Sequence, residues 1–96
     1  MARLTILETR RTLQALSEVL EYYESQQSGL GARFLRAYDA QINRLRDMPK
    51  IGRNGRVFGT RELIMQEFPF LVVYRIRKDY LEIIRLIHQA MKYPKS

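Results

Sequence analysis

The chain contains no cysteine. Disulfides and thiolate-bound metals are therefore excluded, and the composition fits a reducing compartment. There is a single histidine, and no His or carboxylate cluster stands at metal-ligand spacing. No apolar run approaches the ~18 residues of a membrane span. The opening Met1-Ala-Arg-Leu-Thr-Ile-Leu-Glu lacks the apolar stretch of a signal peptide. A soluble, cytoplasmic protein is expected, with no membrane partner. Gly29-Leu-Gly31 precedes a helical pattern, but it lacks the Gly-x-Gly-x-x-Gly spacing and the preceding strand of a phosphate loop. Ser17, Ser25 and Ser28 have no triad context. No cofactor and no metal are expected.

Acidic side chains are scarce in the larger part of the chain. Residues 1–32 carry three basic and four acidic groups, whereas residues 33–96 carry fourteen basic against six acidic, within a net charge of +7. Such a basic portion suits an acidic partner, either nucleic acid or an acidic protein segment, or else is simply a solvated surface. Arg44, Arg46, Lys50, Arg53, Arg56 and Arg61 concentrate this charge, opposed only by Asp47. Arginine favours bidentate contact with phosphate or carboxylate.

The 96 residues make one small domain, 1–96, with a modest core. Residues 3–7 read as a short strand. Thr9 is placed to cap a helix, in which Leu13, Leu16, Leu20 and Tyr23 recur at helical spacing. A loop at residues 25–31 precedes a second helix with Phe34, Tyr38, Ile42 and Leu45 on one stripe, ended by Pro49. Residues 50–58 read as a loose, glycine-containing loop. Strands follow around residues 59–65, 70–77 and 80–88. The order predicts an α+β fold: an N-terminal strand, an antiparallel helical hairpin packed on a mostly antiparallel sheet of three to four strands, and a short C-terminal tail.

With Lys78 and Asp79 as the hairpin loop, Arg75 faces Glu82. One face then carries Leu71, Val73, Arg75, Glu82, Ile84, Leu86 and His88, and the other Phe70, Val72, Tyr74, Ile76, Leu81, Ile83, Arg85 and Ile87. A one-residue slip would exchange the faces. Both are largely apolar, and the helices cover only one. The other is expected to need the C-terminal segment, a second copy or another chain.

His88 can act as a general acid or base or serve structurally. Arg61, Arg75 or Arg85 can bind a phosphate, and Tyr93 can stack or donate a proton. Together they contain the parts of a metal-independent ribonuclease. Against that, Arg75 can pair with Glu82, Tyr38 and Tyr74 suit the core, and Tyr22 and Tyr23 suit a packing or dimer face.

Gly59-Thr-Arg-Glu-Leu63, Phe70-Leu-Val-Val-Tyr-Arg75 and Ile84-Arg-Leu-Ile-His-Gln-Ala-Met-Lys-Tyr-Pro94 together resemble the RelE/ParE superfamily of bacterial toxins, over nearly the whole chain. The resemblance implies a growth-arresting toxin of a type II toxin–antitoxin pair. It implies an acidic antitoxin that wraps the toxin, contacting Tyr22, Tyr23, Phe70, Val72, Tyr74 and Arg85. It further implies a heterotetramer or larger assembly, and operator DNA contacted indirectly through the antitoxin.

Two mechanisms occur in the superfamily. RelE-like members cut mRNA on the ribosome, and ParE-like members poison DNA gyrase. RelE-like ribonucleases resemble this chain less. Phe70-Leu-Val-Val-Tyr74 has no basic residue at its start, and Gln89-Ala-Met91 interrupts the terminal basic cluster. The resemblance therefore favours the ParE-like action, with Arg61, Arg85, His88, Met91, Lys92 and Tyr93 as the target contact. The alternative is a ribosome-dependent mRNA endonuclease using His88, Arg85, Arg75, Arg61 and Tyr93. A basic interaction module without toxicity is the third class.

Overall fold

Thr9 decides where the first helix starts. In the computed structural model, which describes residues 4–90, the Thr9 backbone is extended and its Oγ1 accepts the Thr12 N–H at 3.1 Å. That satisfies a donor the first helical turn leaves open. β1 (Thr5–Glu8) leads into this cap and α1 (Arg10–Gln26) follows it. Gly29, at φ +88°, turns the chain back into α2 (Leu30–Asp47). Glu24 clasps the turn, its carboxylate accepting the Gly29 N–H at 2.9 Å and the Gly31 N–H at 3.1 Å.

β2 (Arg53–Asn54), β3 (Arg61–Ile64), β4 (Phe70–Ile76) and β5 (Tyr80–His88) complete a sheet of order β1-β5-β4-β3-β2. β1 runs parallel to β5, and the other neighbours are antiparallel. The α+β class and the helical hairpin agree with the sequence reading, but the strand count is five rather than three or four. The added strand is β2, which falls in the stretch read as a loop. The Gly55 N–H donates to the Thr60 carbonyl at 2.7 Å, and this closes a small hairpin.

The core lies between the helices and one sheet face. Phe34, Tyr38, Ile42 and Leu45 of α2 are buried, as their spacing predicts, against Phe70, Val72, Tyr74, Leu81, Ile83 and Leu86. Tyr38 donates its hydroxyl to Glu8 at 2.7 Å, which ties α2 to β1. Burial first, and then the Glu8 carboxylate, raise its pKa far above a free tyrosine's. On α1 the inward stripe is Thr12, Leu16, Val19 and Tyr23. Leu13, expected to point inward, is exposed. Its place is taken by Thr12, which is fully buried because its hydroxyl donates to the Ile83 carbonyl at 3.0 Å.

That contact marks the main departure from the expected register. The pairs Arg75↔Glu82 and Tyr74↔Ile83 match it, but the next pair is Val73↔Arg85. Ile84 is the extra residue of a β-bulge. Beyond it the faces exchange: Arg85 and Ile87 join Leu71 and Val73 on the outer face, while Leu86 and His88 join Phe70 and Val72 beneath the helices. The helix cap holds the bulge. The Thr9 N–H donates to the Ile83 carbonyl at 3.1 Å, and the Thr9 hydroxyl to the Ile84 carbonyl at 3.0 Å. Thr9→Ala removes the cap and a bulge clasp together. It should lower stability by about 1–2 kcal/mol, read as a lower urea midpoint at unchanged slope.

The outer face, expected to need a cover, is partly buried within the chain itself. Leu71, Val73 and Ile87 form a second buried cluster within the chain, with exposed Ile64 paired beside Leu71, and exposed Leu7 lies farther along the face beside Glu82.

Candidate functional site

Three arrangements position the side chains singled out from the sequence. The first is a cleft of about 290 Å³ where α1 crosses the end of the sheet, lined by Ala15, Glu18, Val19, Tyr22, Tyr23, Phe70, Leu86 and His88. Its wall is an aromatic stack. Tyr23 lies 5.2 Å from Phe68 and 5.6 Å from both Phe34 and Tyr22, measured between ring centroids. Burial raises the Tyr23 pKa, and neighbouring Tyr22 adds to this. The Tyr23 hydroxyl is therefore held in its neutral form. His88 sits edge-on to Phe70 at 5.1 Å, and its Nδ1 accepts the Ala90 N–H at 3.1 Å. With Nδ1 as acceptor, the neutral ring carries its proton on Nε2. The cleft is apolar on its floor, with Glu18 and His88 as polar rim groups, and this form suits an apolar segment of a partner chain.

The second arrangement lies on the outer face. Arg53, Glu62, Val73 and Arg85 stand in one row across β2, β3, β4 and β5. Glu62 is almost fully buried. It accepts from the Arg53 guanidinium at 3.3 Å and from the Arg56 backbone N–H at 3.0 Å. Arg53, Arg56 and Glu62 rim a cleft of about 280 Å³ floored by Ile64, Leu71 and Ile87.

The third arrangement holds the segment after α2. The buried Tyr74 hydroxyl accepts the Gly52 N–H at 2.9 Å and donates to the Pro49 carbonyl at 2.7 Å. Its pKa is raised by burial, partly offset by the Gly52 hydrogen bond and by Arg61. Arg61 Nη1 donates to the Gly52 carbonyl at 2.7 Å and the Lys50 carbonyl at 3.2 Å.

The residues proposed for a ribonuclease site are not brought together. His88 is at the rim of the helix-side cleft. Arg85 is on the opposite face of the same strand, because the bulge rotates it away. Arg75 is bound to Glu82 at 2.8 Å near the other end of the hairpin, about six residues or roughly 20 Å along the strand from His88. Arg61 braces the segment after α2. Met91, Lys92 and Tyr93 lie outside the described residues.

Of the antitoxin-contact set, Tyr22, Tyr23 and Phe70 share the cleft. Val72 and Tyr74 do not belong with them. They lie on the same sheet face as Phe70, but they are fully buried under the helices. Arg85 is on the other face. Sequence reasoning missed Glu18, Val19 and Leu86 as cleft residues. Glu18 and Val19 precede Tyr22 and Tyr23 by one helical turn, a spacing that signals one shared face.

Residues 6–93 match the family model described as the ParE toxin of the type II toxin–antitoxin system, parDE. The chain belongs to the ParE toxin family. A ParE-family assignment also agrees with a relative from Sinorhizobium fredii (strain NBRC 101917 / NGR234), the protein Y4kP, named a toxin by inference. It is 33% identical over 95 residues, spanning 99% of this chain and 98% of Y4kP. Among solved structures, a chain of the chromosomal ParDE system of Pseudomonas aeruginosa superposes with a TM-score of 0.81 at 19% identity, covering 90% of this chain and 96% of that one. A chain of the Escherichia coli DinJ–YafQ toxin–antitoxin complex gives a TM-score of 0.67 at 9% identity, covering 96% and 99%. At these identities the two structures attest the fold. The superfamily resemblance read from the three sequence segments is thus borne out, and the chain is a type II toxin of ParE kind. No helix among the described residues is long and apolar enough to cross a membrane.

Proposed function

We propose that this ParE-family toxin acts in the cytoplasm, arrests growth by poisoning DNA gyrase, and is neutralised by a cognate acidic antitoxin. The observation that carries this reading is the scatter of the ribonuclease groups. Proton transfer needs acid, base and phosphate-binding groups converging within hydrogen-bond reach of one substrate atom. Here Arg75 is engaged by Glu82, Arg61 by two carbonyls, and Arg85 lies across the sheet from His88. A binding inhibitor needs only a surface. Arg61, Arg85 and His88, with Met91, Lys92 and Tyr93, are the proposed target contacts, although Arg85 and His88 lie on opposite faces of β5 and so belong to two separate parts of that surface.

The antitoxin reading rests on the cleft lined by Tyr22, Tyr23, Phe70 and His88 and on the net charge of +7. An amphipathic segment would seat its apolar face in the cleft, while its acidic residues would meet the basic part of the chain, residues 33–96, rather than the Glu18 rim. The two solved relatives come from toxin–antitoxin systems, which supports a paired assembly, a heterotetramer or larger, meeting operator DNA through the antitoxin. Since His88 is both a cleft residue and an assigned target contact, an antitoxin seated in the cleft would block the target directly.

The test adds purified chain to DNA gyrase, with supercoiling and cleavage-complex readouts, and in parallel to translating ribosomes with primer extension on the mRNA. Stalled gyrase cleavage with intact mRNA is expected. Codon-phased cuts with gyrase unaffected would instead establish the mRNA endonuclease. His88→Ala should reduce gyrase poisoning by less than about tenfold. Loss of activity by roughly 10²-fold or more is what removal of a general acid or base gives.

A further inference from the structure

The β2–β3 hairpin presents an apolar pair that the fold does not use. Phe58 is 101% exposed and Val57 58% exposed. A large aromatic side chain normally has most of its surface covered. The tip is nonetheless well ordered by hydrogen bonds. Thr60 donates its N–H to the Val57 carbonyl at 3.1 Å and its hydroxyl to the same carbonyl at 2.6 Å. Gly59, at φ +84°, takes the turn that an L side chain resists. The ring is therefore displayed on a braced hairpin.

The segment that carries it is basic in sequence, with the neighbouring carboxylate, Glu62, bonded to Arg53 and to the Arg56 N–H. Residues 50–61 contain Lys50, Arg53, Arg56 and Arg61 and no acidic side chain. Arg53 keeps 61% of its side-chain exposure while bonded to Glu62. Phe58 and Arg61 together line a shallow hollow that includes Asn54, Gly55 and Thr60. Two exposed apolar residues cover far less than the roughly 800 Å² per side of a stable protein interface. One exposed ring with Arg61 lining the same hollow is, however, enough to hold an unpaired base, since stacking needs a single π-face and the cations of the basic segment meet the phosphates.

We infer that the hairpin tip at residues 55–61 is a single-strand nucleic-acid contact, in which the Phe58 ring stacks on an unpaired base while Lys50, Arg53, Arg56 and Arg61 bear on the flanking phosphates. The contact belongs to this chain itself and does not pass through an antitoxin. It is independent of the gyrase reading, because its assay contains no gyrase.

The experiment titrates the purified full-length chain into labelled 12-nucleotide strands of mixed sequence, as DNA, as RNA and as the DNA duplex, by fluorescence anisotropy across a salt series. Single strands should bind with a log–log salt slope of about −2 to −3, for up to four cations. Phe58→Ala and Phe58→Leu should each weaken binding by about ten- to a hundredfold, while Phe58→Trp restores it. Thermal midpoints should not move, since the ring is fully exposed in the fold. Tighter binding of DNA or of RNA names the source of the strand. Equal binding of Phe58→Ala and the parent within twofold overturns the inference. So does failure to bind any oligonucleotide at low salt, which would make the tip an anchor for a pocket in a protein partner.

Discussion

Gly52→Ala is expected to destabilise the chain by about 2–4 kcal/mol, from overpacking and from lost buried hydrogen bonds together. A Cβ at this position would stand 2.5 Å from the Tyr74 hydroxyl oxygen, 2.8 Å from its ring and 2.9 Å from the Glu62 carbonyl. None of these gives way easily. Tyr74 is fully buried, and Glu62 is paired to a strand on each side. If the tyrosine moves, its bonds to Gly52 and Pro49 break, and its hydroxyl is left without partners in the core. If the Gly52 segment moves instead, Arg61 loses the carbonyl that holds it at 2.7 Å. For a domain of this size each kcal/mol is worth about 4–8 °C, so the melting temperature should fall by roughly 10–25 °C. A calorimetric or circular-dichroism melt checks this. Tyr74→Phe supplies the control. It removes the hydroxyl without overpacking, and about 1–3 kcal/mol is expected from the unpaired Pro49 carbonyl and Gly52 N–H.

The same segment shows what a sequence can and cannot reveal. Local signals read correctly. Thr9 caps α1, the Phe34 to Leu45 stripe is buried, and Lys78-Asp79 makes a two-residue turn that sets Arg75 against Glu82. Each follows from a few neighbouring residues. The bulge at Ile84 does not. Its clasps come from Thr9 and Thr12, some 70 positions earlier, and Ile83-Ile84 offers no alternation from which to see the slip. Every face assignment after it was therefore inverted. β2 is only two residues long, too short for any periodicity. Alternation also gives a side chain's face but not its depth. Phe70, Val72 and Tyr74 share a face, yet only Phe70 reaches the cleft, because α1 and α2 close over the other two. For the candidate site, the residue types were legible and their assembly was not. The arginine and histidine set looked like one cluster in sequence, and the folded sheet puts its members on two faces and at both ends.

The cleft yields the second large effect. Tyr22→Glu should weaken antitoxin binding by roughly a hundredfold or more and leave the fold intact. Tyr22 is 60% exposed, so its removal from the free toxin costs little. Its ring nevertheless packs 5.6 Å from Tyr23 and walls the cleft. A tyrosine exposed in the free chain and covered by a segment seated in the cleft would act as an interface hot spot, commonly worth about 2 kcal/mol or more. The glutamate adds a second penalty. It joins Glu18 and Glu21 on the same helix, and an acidic segment would then meet three carboxylates. Like-charge contact costs further affinity and is sensitive to salt. Titration calorimetry with the antitoxin at two ionic strengths separates the parts. Tyr22→Ala should lose the packing contribution alone, and Tyr22→Glu should lose more at low salt than at high. The change should not alter gyrase poisoning by the free toxin, because Tyr22 is not among the target contacts. Cells carrying the variant with its antitoxin should therefore stop growing. If both variants bind the antitoxin as the parent does, the segment seats elsewhere, and the outer cleft between Arg53, Arg56 and Ile87 becomes the place to look.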